Sequence, residues 1–190
     1  MFKHFAKFSL ALLLISGACE AKQVPDAELR ALLSKTVSES SSFYDRFDAE
    51  VWLVDMSGRL KRYIKNPEQR LELLKRVHAE AKRAGIEPEL VMSLIHVESA
   101  FKRFAISSVG AQGLMQVMPF WKNEIGRPDD NLTKIETNLR YGCTILKHYI
   151  DKEKGNLIRA LARYNGSLGK IKYPEKVLRF WETYWFVNHQ

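Results

Sequence analysis

Apolar side chains recur at the spacing of an α-helix along most of the sequence, which predicts a chain built of helices. In residues 43–64 these apolar positions lie almost one helical turn apart: Phe43, Phe47, Val51 and Val54. The pattern predicts a helical segment that packs one face on a core. Gly58 is expected to interrupt the segment, because glycine weakens a helix interior.

The next two helices have clear start and stop signals. Asn66 followed by Pro67 predicts the N-cap and first turn of a helix that Gly85 ends. Its inward positions follow helical periodicity: Leu71, Leu74, Val77 and Ala81. Glu87 and Pro88 then open another helix.

The helix that follows Pro88 is apolar on most of its sides, which predicts a buried helix. Its inward residues lie at i, i+4, i+7 and i+11: Leu90, Leu94, Val97 and Phe101. Glu98 lies near the end of this helix. Burial disfavours the charged form and raises the pKa of a carboxyl group, as a general acid near neutral pH requires. A solvent-facing glutamate is the ordinary alternative.

Loops and helices alternate after Phe101. Gly110 and Gly113 mark a loop, and residues 114–118 are expected to form a short helical run that Pro119 ends. Phe120 and Trp121 are expected to offer aromatic surface.

Three more helices complete the predicted fold. Asn131 or Thr133 is expected to cap a long helix that ends at Gly155, Asn156 to cap a shorter one, and a last helix to cover residues 175–187. Glycine and proline are sparse, and a regular rhythm of short strands is lacking. The predicted fold class is therefore all-α, with roughly eight short helices in one domain.

The formal net charge of +8 indicates attraction to anionic partners. Nucleic acid, acidic lipid headgroups and acidic cell-wall polymer all fit this charge. A soluble basic surface without a specific partner fits it equally well.

The N-terminus narrows these choices because it has the layout of a secretory signal peptide. Basic Lys3 and Lys7 precede the apolar residues 8–15, and small residues follow. The predicted organisation is a signal peptide at 1–21, an N-terminal helical segment at 22–43 and a main domain at 44–190. A lipid anchor at Cys19 is the disfavoured alternative, because Ser16 occupies the position where a large aliphatic residue is preferred. The expected location is the periplasm or cell envelope, where nucleic acid is not an expected partner.

Metal and cofactor chemistry find little support in the sequence. The histidines are scattered, without the spacing of metal ligands, and a glycine-rich phosphate loop is lacking. His96 is expected to be structural. Cys143 would be the one cysteine left after removal of residues 1–21, and a buried apolar role is expected for it. We therefore expect no cofactor and no metal.

Four short motifs resemble those of the soluble-type lytic transglycosylases, lysozyme-like enzymes of the glycoside hydrolase family 23 kind. In order and spacing they are Glu98-Ser99, Gly113-Leu114-Met115-Gln116, Ala162-Arg163-Tyr164-Asn165 and Tyr173. The resemblance covers about residues 70–180. Arg163 before Tyr164 and Ser167 after Gly166 depart from the common family pattern. Residues 47–64 look more like the membrane-bound C-type enzymes.

The resemblance implies a lysozyme-like helical fold and cleavage of the β-1,4 bond between N-acetylmuramic acid and N-acetylglucosamine in peptidoglycan. The muramyl 6-hydroxyl attacks its own anomeric carbon, and a 1,6-anhydro ring forms. One glutamate, here Glu98, serves first as acid and then as base. Peptidoglycan glycan strands are the implied partner, and the protein is expected to act as a monomer.

The resemblance also implies roles around the substrate. Ser107 should lie near the acetamido group or the 6-hydroxyl, and Met115 should pack on a sugar face. Gln116 and Asn165 should hydrogen-bond the sugar or the acid. The two tyrosines of the motifs should line the groove and hold the acid: Tyr164 and Tyr173.

Ordinary glycosidases use two carboxylates, and the sequence around Glu98 offers no clear second one. Glu89 lies more than two helical turns earlier, whereas Asp129 and Asp130 lie in a loop that can reach the groove. Two alternatives stay open: a goose-type lysozyme, which cuts the same bond with water, and a non-catalytic wall-binding or secretion-associated module.

Overall fold

Helices make up nearly all regular structure in the computed structural model, which describes residues 31–33, 36, 42, 43 and 45–187. In chain order they are α1 Arg46–Leu60, α2 Pro67–Ala84, α3 Pro88–Ser99, α4 Trp121–Ile125, α5 Ile135–Lys152, α6 Leu157–Tyr164, α7 Lys172–Phe180 and a π-helical turn Trp181–Trp185. Within the described residues, β-structure is limited to isolated antiparallel bridges of Gln112 with Ile106 and with Val117. The all-α prediction is confirmed. The predicted signal peptide, Cys19 and most of segment 22–43 lie outside the described residues.

Helix α1 buries a different face from the one predicted. Phe47 and Val51 are 72% and 50% exposed, and Gly58 lies inside an unbroken helix. The buried stripe is instead Trp52, Leu53, Met56 and Leu60. Two apolar stripes run along this helix, and tertiary packing buries the one that carries Trp52. Phe43 and Val54 are partly buried against that core.

Helices α2 and α3 agree with their sequence signals. Asn66 Oδ1 accepts the Gln69 N–H at 2.8 Å, and Gly85 ends α2 with φ of 67°, in the left-handed region that favours glycine. In α3 the apolar residues are buried on most sides: Leu90, Val91, Met92, Leu94 and Ile95. This helix packs against α2, α7 and the π-helical turn, so it forms the centre of the domain.

Residues 113–116 form a tight turn and Val117 pairs with Gln112, so the predicted helical run over 114–118 is wrong. Gln112 and Val117 exchange backbone hydrogen bonds of 2.9 Å in both directions. Gly113 has φ of +77°, and a Cβ built there would lie 2.4 Å from Asn138 Nδ2 and 2.6 Å from Leu132 O. The turn depends on this close approach to distant residues, which local periodicity does not report.

Helix α5 begins without the predicted cap. Its N-cap is Lys134, which makes no capping side-chain bond. Asn131 Oδ1 instead accepts the N–H and hydroxyl of Thr133, each at 2.8 Å, in a turn before the helix. Cys143 is a fully buried free thiol in α5, as expected. Asn156 caps α6 by accepting the Arg159 N–H at 3.0 Å, also as expected.

The last helix begins earlier than predicted and changes type. It starts at Lys172, so Tyr173 and Pro174 lie in its first turn, where proline needs no hydrogen-bond donor. The chain then widens into the π-helical turn Trp181–Trp185. Arg59 Nη1 donates to Tyr184 O at 2.6 Å, which helps fix this turn on α1.

Candidate active site

Glu98 lies at the end of α3, where the chain turns away sharply. Ala100 and Phe101 follow with φ of 48° and 64°, both left-handed without being glycine. Such residues cost on the order of 1–3 kcal/mol each and concentrate at functional sites. Phe101 is 5% exposed, so its burial in the core offsets this strain. The turn leaves the Glu98 carboxyl at the helix end.

Tyr173 contacts this carboxyl directly. Its hydroxyl donates to Glu98 Oε1 at 2.5 Å, and it comes from the first turn of α7, 75 residues later in the chain. Burial and the nearby carboxyl hold the pKa of Tyr173 well above its ordinary value. The hydroxyl therefore stays protonated and remains a hydrogen-bond donor to Glu98.

The surroundings of Glu98 favour its neutral form. Burial raises the pKa of Glu98 to about 7, against the opposing effects of the Tyr173 hydrogen bond and the charge of Lys176. At neutral pH both the protonated and the ionised forms of the Glu98 carboxyl are therefore populated. A side chain that first gives and later takes a proton works best at such a pKa.

Ser99 connects the end of α3 to the turn that carries the second motif. Its hydroxyl donates to Leu114 O at 2.8 Å, with Ile95 O also within 3.2 Å. The hydroxyl is buried, so it joins two backbone segments away from solvent. The sequence showed Ser99 in the motif but assigned it no role.

Asn138 of α5 holds the same turn from the other side. Its Oδ1 accepts the Met115 N–H at 2.8 Å, and its Nδ2 donates to Gln112 O and Leu132 O, each at 2.8 Å. The residue is 1% exposed, and these bonds satisfy its amide. Sequence reasoning missed it; the one available signal is an asparagine beside Leu139 on an inward helix face.

Met115 does not lie where the resemblance implied. Its side chain is 0% exposed and packs on Gly142, where an added Cβ would lie 2.3 Å from Met115 Sδ. The expected packing on a sugar face is wrong for this structure, because the thioether is enclosed in the core. Met115 O instead accepts the Tyr164 hydroxyl at 2.8 Å. Burial, followed by the Glu98 charge, raises the pKa of Tyr164 well above its ordinary value.

The other motif residues bond to neighbouring loop segments or lie at the end of α6. Gln116 is half-buried with φ of 48°, and its Nε2 donates to Ala105 O and Gly113 O at 3.2 and 3.0 Å. Ser107 Oγ accepts the Ala111 N–H at 3.0 Å inside its own loop. Asn165 is exposed at the C-cap of α6, directly after Tyr164. None of the three hydrogen-bonds Glu98 in this structure.

The other acids considered from the sequence are engaged elsewhere. Glu89 accepts the Trp52 indole N–H at 2.6 Å at the opposite end of α3. Asp130 accepts the Tyr141 hydroxyl at 2.5 Å and the Arg127 N–H at 3.0 Å within its loop. Among the described residues, no carboxylate shifts the pKa of Glu98.

His96 belongs to a cluster of aromatic rings that includes Tyr63, Phe180 and Trp185. Its Nδ1 accepts the Trp185 indole N–H at 3.2 Å, and its Nε2 lies 2.7 Å from the Tyr63 hydroxyl. Burial, assisted by Arg62 and Lys176, lowers the pKa of His96 to about 4, so the ring is neutral and structural. No group of three His, Cys, Asp or Glu side chains in the described part of the chain is placed to hold a metal ion.

The helical domain thus carries a half-buried glutamate, bonded by a tyrosine, at the end of its central helix. The family model for the transglycosylase SLT domain matches residues 75–179. The chain belongs to this family, which confirms the resemblance drawn from the motifs.

Individual relatives are matched over shorter lengths. The chain is 54% identical over 43 residues to the membrane-bound lytic murein transglycosylase C of Actinobacillus pleuropneumoniae, covering 23% of this chain and 12% of the relative. It is 33% identical over 111 residues to the enzyme of that name from Haemophilus ducreyi, covering 50% and 30%. The chain therefore spans less than a third of these relatives' lengths.

A solved structure was also similar. The lytic transglycosylase Slt of Pseudomonas aeruginosa, in an inactive mutant form, is 23% identical with a TM-score of 0.46. The match covers 76% of this chain and 31% of that one.

Proposed function

We propose that the protein is a peptidoglycan lytic transglycosylase with Glu98 as its one acid and base. The observation that carries the proposal is the half-buried Glu98 carboxyl, which has a pKa of about 7 and accepts the Tyr173 hydroxyl within an SLT domain. The substrate is the β-1,4 bond between N-acetylmuramic acid and N-acetylglucosamine.

In the first step, protonated Glu98 gives its proton to the glycosidic oxygen as the bond from that oxygen to the muramyl anomeric carbon breaks. The acetamido oxygen of the same sugar stabilises the positive charge that develops on this carbon. Ordinary two-carboxylate enzymes use the second carboxylate at this stage. Two carboxylates considered for that role, Glu89 and Asp130, bond Trp52 and Tyr141 instead, which supports the substrate-assisted route.

In the second step, the Glu98 carboxylate takes the proton of the muramyl 6-hydroxyl. The oxygen of that hydroxyl attacks the anomeric carbon and closes the 1,6-anhydro ring, and Glu98 is protonated again. Tyr173 stabilises the carboxylate between the two steps, because a hydrogen bond to an ionised group is stronger than one to a neutral group.

The polar groups that are exposed or left without a hydrogen bond are the ones we assign to the substrate. Asn165 is exposed beside Tyr164 and presents its amide to a ligand. Gln116 uses its amide nitrogen in the loop, so its carbonyl oxygen is the group left for the sugar. The Ser107 hydroxyl proton is available in the same way, since its oxygen accepts within the loop. Met115 supports the site from the core by fixing Tyr164.

The test is digestion of purified peptidoglycan sacculi, with the products weighed by mass spectrometry. Anhydro-ended muropeptides, each lighter by one water than the hydrolytic product, are expected from the wild type and not from Glu98→Gln. Reducing ends would support the lysozyme alternative. Binding to sacculi without cleavage would support the wall-binding module. If Glu98→Gln digests sacculi at the wild-type rate, Glu98 is not the acid and base.

The same proposal includes an envelope location. The named relatives are described as membrane-bound, and residues 1–21 have the layout of a signal peptide. No helix in the described ranges is long and apolar enough to cross a membrane. We expect the secreted chain to act on glycan strands as a monomer. The mass of the N-terminus of protein purified from cells distinguishes simple cleavage from lipid attachment at Cys19.

A further inference from the structure

A cavity of about 160 Å³ lies at the N-terminal end of α3, between α1 and α2. Glu98 is at the other end of α3, nine residues later, which is about 13 Å along the helix axis. The cavity is therefore distinct from the site proposed for catalysis. Drug-sized ligands occupy about 300–1,000 Å³, so this cavity suits a small group at the end of a chain.

The floor of the cavity holds a buried carboxylate. Glu89 is 4% exposed and lines the cavity. Its Oε1 accepts the Trp52 indole N–H at 2.6 Å, and its Oε2 has no hydrogen-bond partner within the described ranges. Buried carboxylates are normally paired. The first turn of α3, where Glu89 lies, stabilises a negative charge, so the carboxylate offers an ionic contact to whatever enters.

The charges around the cavity favour a cation. Asp48 and Glu87 also line it, and Lys82 is the one basic side chain among its described lining residues. Lys82 Nζ lies 3.8 Å from Glu87 Oε2, so part of its charge is compensated. Three carboxylates thus face one ammonium in a chain whose formal net charge is +8. The net positive charge of the chain attracts anions, whereas the charges at this cavity attract a cation.

Aromatic rings form the remaining walls. The Trp52 and Phe43 ring centroids lie 5.8 Å apart with a 58° tilt, and His78 stacks on Phe43 at 3.6 Å. Burial, followed by the charge of Lys82, lowers the pKa of His78 to about 4, so its ring is neutral at neutral pH. Tryptophan faces attract cations, and they also cover the alkyl stem of an extended amine.

From these features we infer that the cavity binds a primary alkylammonium group, such as the end of a lysine-like side chain. The ammonium contacts the free oxygen of Glu89, and the alkyl stem lies against Trp52 and Phe43. The inference concerns a site apart from Glu98 and does not depend on the proposed reaction.

The Trp52 indole N–H provides the reporter, because it donates to the same carboxylate. In the full ¹⁵N-labelled chain, titration with n-butylammonium chloride is expected to shift the Trp52 indole cross-peak saturably. Neutral 1-butanol and anionic butyrate at equal ionic strength are expected to leave it in place. An equal response to 1-butanol, or the lack of a saturable shift with n-butylammonium, would overturn the inference.

Three variants locate the binding. Glu89→Gln keeps an oxygen for Trp52 but loses the charge, and its affinity for n-butylammonium is expected to fall by about tenfold or more, since a charge-assisted hydrogen bond is lost. Asp48→Asn, which leaves the Glu89–Trp52 bond in place, is expected to weaken binding by a smaller factor. Unchanged affinity in Glu89→Gln would refute the site.

Glu98→Gln is the matched control at the other end of α3, and it is expected to bind n-butylammonium as tightly as the wild type. Binding is measured without cleavage, so the two proposals fail separately. An inactive wild type would refute the proposed reaction but not this site. A failed titration would refute this site but not the reaction.

Discussion

Helix α3 carries a glutamate in its first turn and another in its last, and the two ends give the carboxyl groups opposite surroundings. Glu89 is 4% exposed but lies where the helix dipole favours an anion and where Trp52 donates to it. Glu98 lies at the end where partial negative charge disfavours an anion, and burial raises its pKa to about 7. Burial by itself therefore does not define a general acid; position along the helix and the chemistry of the neighbours also decide.

The largest expected effect comes from Glu98→Gln. Removal of the acid and base is expected to lower the rate of sacculus digestion by about 10³-fold or more, given that general acid–base catalysis contributes about 10²–10⁴-fold. The amide oxygen still accepts from Tyr173, so the fold is expected to persist. Release of anhydro-muropeptides measures the rate. Glu68→Gln, an exposed change at the start of α2, is the control, and a comparable loss in that variant would contradict the assignment.

The second effect concerns stability. Substitution of the glutamate at one end of α3 should stabilise the fold at pH 8, and substitution at the other end should destabilise it. Because the pKa of folded Glu98 is about 7 against 4.5 for the free group, the folded chain holds an extra proton between those values. The contribution of Glu98 to the free energy of unfolding is therefore fully present below pH 4.5. It is lost as pH rises through 7, which lowers stability by about 3 kcal/mol. Glu98→Gln should recover part of this loss at pH 8 and little at pH 4.5.

Glu89→Gln should instead destabilise the fold by about 0.3–1 kcal/mol, because a helix N-terminus favours a carboxylate over a neutral amide. Urea unfolding of both variants and the wild type at pH 4.5 and 8 measures these differences. Equal signs for the two variants at pH 8 would break the comparison.

The third effect tests the partner of Glu98. Tyr173→Phe removes the hydroxyl that lowers the pKa of the carboxyl, so the Glu98 pKa should rise further. A hydrogen bond to a charged group contributes about 1.5–3 kcal/mol, which corresponds to roughly a ten- to hundred-fold loss of rate. Because Glu98 must start protonated, the wild-type kcat/KM should fall as pH rises through about 7. In Tyr173→Phe this fall should move to higher pH; an unmoved profile would show that the bond does not tune the acid.

Those contrasts also show what the sequence is able to predict. The caps at Asn66 and Asn156 are local signals, and the structure confirms both. Glu98 was predicted as the acid because an apolar pattern and a four-part motif agree on it. The inward face of α1 was predicted wrongly, because two stripes of similar periodicity compete and tertiary packing selects the one with Trp52.

The supports of the site were harder to predict than the acid itself. Met115 stands in a motif, yet its side chain packs on Gly142 and its carbonyl oxygen performs the contact with Tyr164. Asn138 holds the turn by bonds to three backbone groups. Backbone contacts between distant segments leave no residue-type pattern, so periodicity and motif reading cannot locate them.

The smallest effect is expected from Ser93→Ala, and it is best judged against Ser99→Ala, because each serine lies near one of the two glutamates. Ser93 Oγ donates to Glu89 O at 2.7 Å, four residues back on the same helix, whereas Ser99 Oγ donates across to Leu114 O at 2.8 Å. The Glu89 carbonyl lies within α3 and keeps its helical partner in Ser93→Ala, so stability should change by less than about 0.5 kcal/mol. Ser99→Ala leaves the buried Leu114 carbonyl without this donor and should cost about 1–3 kcal/mol, with a lower digestion rate because the turn beside Glu98 loosens. Urea unfolding and sacculus digestion of both variants give the comparison. If Ser93→Ala proves as costly as Ser99→Ala, the bond to Leu114 has no special part in joining α3 to the turn.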